Sequence, residues 1–136
     1  MTEPDLFYAF KKAYLPDLKV AVDSYSPFDA ICHTAKVVVE FKCRRMHYHN
    51  LILEWPKYEV LLNRAANRGY TPVYICSTPL GVWAWNLTHL DLKWHKRRLP
   101  YETKSNLHEV NDNRPVIKQV AYLDLEDGSY LSRIKV

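Results

Sequence analysis

The sequence predicts one α/β (α+β) domain: a mixed β-sheet core flanked by helices, in the order α-β-β-β-α-β-β plus a C-terminal hairpin. Three observations carry that prediction. Val37, Val39, Phe41 and Cys43 alternate with Val38, Glu40, Lys42 and Arg44, which is the period of a strand. Two segments, at 5–15 and 56–68, space their apolar residues along one helix face. Asp127-Gly128 stands between two strand-like runs, as a hairpin turn does.

Taken in order, Asp5 to Leu15 places Leu6, Phe7, Phe10 and Tyr14 at helical spacing, with Pro4 in the first turn and Pro16 ending the run. Val20 to Ser24 is expected to be a short strand. Ala30 to His33 and Val37 to Cys43 are expected to pair antiparallel across a reversal at Thr34-Ala35. The polar stretch 44–50 connects to a helix over Pro56 to Arg68, whose stripe is Tyr58, Leu61, Leu62 and Ala65 and whose stop is Gly69. Strands at Pro72 to Ser77 and Val82 to Leu87 flank a tight turn, Thr78-Pro-Leu-Gly81. Lys93 to Arg98 is expected to be a basic loop. Val116 to Leu123 alternates like a strand and is expected to form the hairpin with Tyr130 to Ile134.

A chain of 136 residues suits a single domain spanning 1–136. Nearly half the residues are apolar, which excludes a disordered chain. No apolar run approaches the roughly 20 residues that span a bilayer, so no membrane partner is expected. The start, Met-Thr-Glu-Pro-Asp, lacks the pattern of a signal peptide. Cys32, Cys43 and Cys76 lie in strand-like apolar runs, as free thiols in a reducing compartment do, so a cytoplasmic location is expected. The net charge of +4 agrees with a polyanionic partner.

Parity puts Glu40 and Lys42 on one face of their strand and the large apolar residues on the other. With residue 33 facing 36 and 31 facing 38, Asp29 falls across from Glu40, their side chains about 5 Å apart. Two carboxylates so close repel unless one is protonated or a cation lies between them. A divalent cation with hard oxygen ligands is the natural resolution.

The sequence Pro27-Phe28-Asp29, then Glu40-Phe41-Lys42 with ten residues between the carboxylates, resembles the signature of the PD-(D/E)XK (restriction-endonuclease-like) nuclease superfamily. The likeness covers roughly residues 5–90, since Ile52 to Tyr58 and its following helix look like the segment after the motif in some members. The resemblance implies a Mg2+- (or Mn2+-) dependent endodeoxyribonuclease without a small-molecule cofactor. Asp29, Glu40 and the Phe41 backbone carbonyl would hold the metal, and Lys42 would orient water or stabilise charge in the transition state. It further implies a small stand-alone member of phage or mobile-element type, in the host cytoplasm if phage-encoded, that acts on DNA as a homodimer. Junction resolution or degradation of host DNA is the role such a member would fill. The alternative is a non-catalytic nucleic-acid-binding or assembly protein on the same fold.

Nucleic-acid contacts are expected from Arg44 and Arg45 after the strand, and from Lys57, Arg64 and Arg68, which recur at spacings of seven and four on one helix face. Trp94, Lys96, Arg97 and Arg98 supply an aromatic among cations, a pattern suited to base stacking and phosphate contact. Bland readings stand beside these. Lys57 is equally a solvated lysine beside Glu54 and Glu59, Arg44 an exposed strand end, and Trp94 an anchor for a solvated loop. Cys43, His47 and His49 form a weaker candidate zinc set. Trp83, Trp85 and Val116 to Ile134 are the expected dimer surface.

Overall fold

The computed structural model describes residues 1–21, 29–100 and 115–136. Helix α1 (Glu3–Ala13) begins on a capping box, in which the Thr2 hydroxyl accepts from the Asp5 N–H and the Asp5 carboxylate accepts from the Thr2 N–H. Strands β1 (Lys19–Val20), β2 (Ala30–Cys32) and β3 (Val37–Cys43) follow. β2 and β3 are antiparallel, with Ile31 opposite Val38 and Ala30 opposite Val39, the expected register. The reversal runs through Lys36 in the left-handed region. The expected strand at 20–24 begins one residue earlier, and its part beyond Ala21 lies outside the described residues.

After β3 come β4 (Asn50–Glu54), α2 (Trp55–Arg68), β5 (Thr71–Thr78), β6 (Gly81–Asn86), β7 (His95–Pro100), β8 (Pro115–Asp124) and β9 (Ser129–Tyr130). α2 ends on Gly69, whose left-handed φ of 67° lets its N–H reach back to the last carbonyls of the helix. Gly81 is needed for a different reason. A Cβ there would lie 2.6 Å from the Tyr130 ring, which closes over the β5–β6 turn.

The sheet system departs from the expected single sheet. Six strands form one sheet in the order β1-β2-β3-β5-β6-β9, mixed because β3 and β5 are parallel while its other pairs are antiparallel. β4, β8 and β7 form a second, three-stranded sheet. Three expectations are corrected by this. Asn50–Glu54 is a strand, because β8 supplies it with an antiparallel partner that local sequence does not reveal. Lys93 to Arg98 is largely strand β7 rather than a loop, stabilised by pairing with β8 along its length. The C-terminal hairpin does not form between β8 and β9. A short 3-10 turn at Leu125–Asp127 carries the chain across to β6, where Tyr130 pairs with Trp83.

The six-stranded sheet is packed on both faces. On one, Leu6, Phe7 and Phe10 of α1 meet Val39 and Phe41, joined by Leu131 and Ile134 from the C-terminus. On the other, Leu61 and Ala65 of α2 and Leu51, Leu53 and Leu123 of the second sheet cover Val38, Tyr74 and Trp85. Each large apolar side chain so buried contributes about 2–3 kcal/mol. Trp85 is 1% exposed, and its indole N–H donates to the Asp124 carbonyl at 2.9 Å. It therefore belongs to the core and is removed from the expected dimer surface.

Candidate active site

β3 carries apolar and charged residues on opposite faces, and the register of β2 against β3 extends to place Asp29 across from Glu40. Both carboxylates are buried, each 7% exposed. The parallel neighbour β5 sets Tyr74 beside Glu40 and Cys76 beside Lys42 on the same face. α2 runs across this face and delivers two cations. Arg64 Nη1 donates to Asp29 Oδ2 at 2.7 Å, with both side chains 10% exposed. Lys57 Nζ lies 3.7 Å from Glu40 Oε1 and is 41% exposed. The spacing of seven between these cations is two helical turns, so one helix face serves both carboxylates.

The electrostatics follow from burial. Glu40 is pushed up to about 7, first by its removal from water and then by the charge of Asp29, against smaller downward pulls from Lys57, Lys42 and Arg64. Burial also raises the Tyr74 hydroxyl and pushes the Cys76 thiol up to about 12, so both flank the carboxylates as neutral groups. Burial pushes Glu54 up, but its hydrogen bond to Lys118 and the charges of Lys118, Lys57 and Arg44 together outweigh that and lower it from its ordinary value. Lys118 Nζ donates to Glu54 Oε1 at 2.7 Å.

The donors available to a metal are hard oxygens. Among the described residues no third His, Cys, Asp or Glu joins Asp29 and Glu40. The Arg44 N–H donates to the Ser77 carbonyl on β5. Backbone groups alternate sides along a strand, so the Phe41 carbonyl points to the opposite edge of β3, the edge that β2 and Asp29 approach. Two carboxylates and a carbonyl suit Mg2+ or Mn2+, which keep several waters.

The other expected contact residues scatter. Arg64 turns inward to Asp29 rather than outward to a phosphate. Arg44 is half-buried, donating from Nη2 to the Ile52 carbonyl at 2.7 Å. Arg68 is exposed beside the Arg64 carbonyl, and Arg45 is exposed in the loop after β3. Lys96, Arg97 and Arg98 lie exposed along β7. Trp94 is half-buried, edge-on to Trp55 at 4.8 Å and beside Tyr58 at 4.9 Å, so it anchors the second sheet to α2. His47 meets the Thr78 hydroxyl at 2.8 Å, while Cys43 packs toward α1. Sequence reasoning missed the pairing of Arg64 with Asp29, although the spacing of Lys57 and Arg64 on one face was the available signal. No helix among the described residues is long and apolar enough to cross a membrane. No protein-family model, no curated protein and no solved structure matches this chain.

Proposed function

We propose that this chain is a metal-dependent nuclease that hydrolyses phosphodiester bonds in DNA, on a restriction-endonuclease-like fold of the PD-(D/E)XK type. The observation that carries the reading is the buried, opposed pair Asp29 and Glu40, with Lys42 two residues on along the same face. Burying two like charges side by side costs stability, and an apolar pair would remove that cost. A chemical task accounts for keeping them.

Asp29, Glu40 and the Phe41 carbonyl would hold the ion. Bound there, Mg2+ or Mn2+ supplies polarisation of the phosphate and a more acidic water. Lys42 brings positive charge to the face where the transferred phosphate gains negative charge. Lys57, more exposed at the start of α2, meets the phosphate as it arrives. Arg64 fixes the Asp29 carboxylate through its bond to Oδ2. Cutting both strands requires two such sites, which a two-fold homodimer supplies.

One observation favours a second reading. The 2.7 Å pair of Arg64 with Asp29 balances charge without a metal, as a non-catalytic nucleic-acid-binding protein would need. Incubation with supercoiled plasmid, a four-way junction and single strands, in Mg2+, Mn2+ or chelator, separates the two. Cleavage is expected in either metal and none in chelator, with Asp29→Ala and Glu40→Ala inactive. Lys42→Ala should lose turnover and keep affinity, because its work falls in the transition state. Binding without cleavage under every condition would instead establish the second reading.

A further inference from the structure

The exposed face of the three-stranded sheet carries a groove of about 340 Å3, formed where β4, β8 and β7 meet the end of β3. Its walls include Tyr48, Tyr122, Ile52, Arg44 and Arg97. Ile52 and Tyr122 are register partners, so an aliphatic side chain lies beside an aromatic one. Arg97, two strands away from β4, donates to the Tyr122 hydroxyl and sets its guanidinium 5.7 Å from the ring centre. Tyr48 rises at the rim, 55% exposed. Arg44 ties the groove to β3 through its bond to the Ile52 carbonyl.

The charged residues that line the groove itself, Arg44 and Arg97, are both cations. Along β7, Lys96 and Arg98 alternate onto the opposite face from Arg97, and the one carboxylate of β8, Asp124, lies two residues beyond Tyr122. Glu54, the nearest acid on β4, is already held by Lys118. Rings with flat faces beside two arginines supply the two elements that hold an unpaired nucleotide: stacking for the base, charge for the phosphate. A duplex presents stacked bases whose faces are already covered, so its phosphates can use the cations while its bases cannot use the rings.

We propose that this groove binds single-stranded polynucleotide, seating one unpaired base against Tyr122 and Tyr48 with its phosphates along Arg97 and Arg44. The inference rests on the nucleic-acid reading of the neighbouring site and deepens it. Arg44 stands four residues beyond Glu40, just past the end of β3, a run of about 13 Å. A strand seated in the groove can therefore continue to the carboxylates, so the substrate class is nucleic acid with a single-stranded segment, such as a flap or a splayed junction arm. The aromatic contact expected from sequence at Trp94 falls instead to Tyr122 and Tyr48.

The test is fluorescence anisotropy in chelator, where no cleavage intervenes, with a labelled twelve-nucleotide thymidine strand, the uridine RNA equivalent and a twelve-base-pair duplex. The wild-type chain should bind either single strand at least tenfold more tightly than the duplex, and the two strands report whether DNA or RNA is preferred. Tyr122→Ala should weaken single-strand binding about tenfold and leave duplex binding unchanged, in line with ~1–3 kcal/mol per stacked base. Tyr48→Ala, at an exposed site that tolerates truncation, should lose about threefold in the same sense. Arg97→Lys keeps the charge and should still weaken single-strand binding. Lys12→Ala, on α1, should change nothing. Equal affinity for duplex, no response to Tyr48→Ala and Tyr122→Ala, or equal displacement by polyglutamate would overturn the proposal. Single-strand binding that depends on Tyr122 in a chain that never cleaves would uphold it while removing the nuclease reading. Metal-dependent cleavage of a flap untouched by both tyrosine variants would remove this proposal alone.

Discussion

The two faces of β3 are built from one seven-residue strand yet follow opposite rules. Toward α1, Val39 and Phe41 meet Phe7 and Phe10, with ring centres 5.9 and 5.8 Å from Phe41, and the contact is wholly apolar. Toward α2, Glu40 sits beside Tyr74 and Lys42 beside Cys76, with Lys57 facing Glu40 and Arg64 bound to Asp29. The first face lowers the free energy of folding by removing hydrocarbon from water. The second gives part of that back by burying charge. A strand that keeps both faces separates the residues that make the fold from charged residues whose burial works against it.

The largest expected effects test that separation directly. Phe41→Ala should cost about 3–5 kcal/mol in urea unfolding, with the same loss at pH 5 and pH 8, because a cavity has no charge. Arg64→Met should cost a similar ~3–5 kcal/mol at pH 8, since it leaves Asp29 buried beside Glu40 without its strongest cation. Here the loss should shrink at pH 5, where Glu40 carries its proton. Equal losses at both pH values would show that Arg64 acts through packing alone.

The strand signature, the β2–β3 register and the opposition of Asp29 to Glu40 are legible in the sequence because period-2 patterning and a short reversal are local facts. α1 and α2 are legible for the same reason, through their 3.6-residue stripes and Gly69. Asn50–Glu54 and His95–Pro100 are not, because each is a strand only by virtue of β8, and pairing between distant segments leaves little trace in either one. Polar residues throughout 95–98 removed the alternation that would have marked β7. The hairpin at Asp127-Gly128 failed on competition: the turn residues are correct, but β6 offers Tyr130 a place over Gly81 and beside Trp83, with rings 5.2 Å apart. At the site, the carboxylates were readable and their protein counter-ions were not, since Arg64 looked like part of a solvated basic face.

The next effect is on the charged face and depends on proton linkage. The Glu40 carboxyl is raised from 4.5 to about 7, so the folded chain holds this proton more tightly than the unfolded one. Its stabilising contribution is full below about pH 4.5 and is lost as pH climbs through about 7. A rise of this size corresponds to about 3 kcal/mol. Glu40→Gln imitates the protonated form. It should match the wild type near pH 4.5 and exceed it by up to about 3 kcal/mol at pH 8, while losing cleavage. Mg2+ at pH 8 should raise the Tm of the wild type and leave that of Glu40→Gln unmoved. No shift of the wild type with Mg2+ or Mn2+ would argue against a metal between the carboxylates and leave Arg64 and Lys57 as their permanent partners.

The smallest effect belongs to Lys57, and it distinguishes a structural ion pair from a functional one. Its ammonium stands 3.7 Å from Glu40 and is 41% exposed, so water and salt screen much of the attraction. Lys57→Ala should therefore cost less than about 1 kcal/mol. Its sign on the titration is nonetheless fixed, because Lys57 favours the ionised form of Glu40 and draws its pKa down. Removing it should move the Glu40 midpoint upward, read by carboxyl-carbon NMR. The acid limb of the cleavage rate should move upward in parallel if ionised Glu40 is the active form. A shift in both with stability unchanged would mark Lys57 as a residue that tunes the site. A loss of several kcal/mol with no movement of the midpoint would place it with the residues that hold α2 against the sheet.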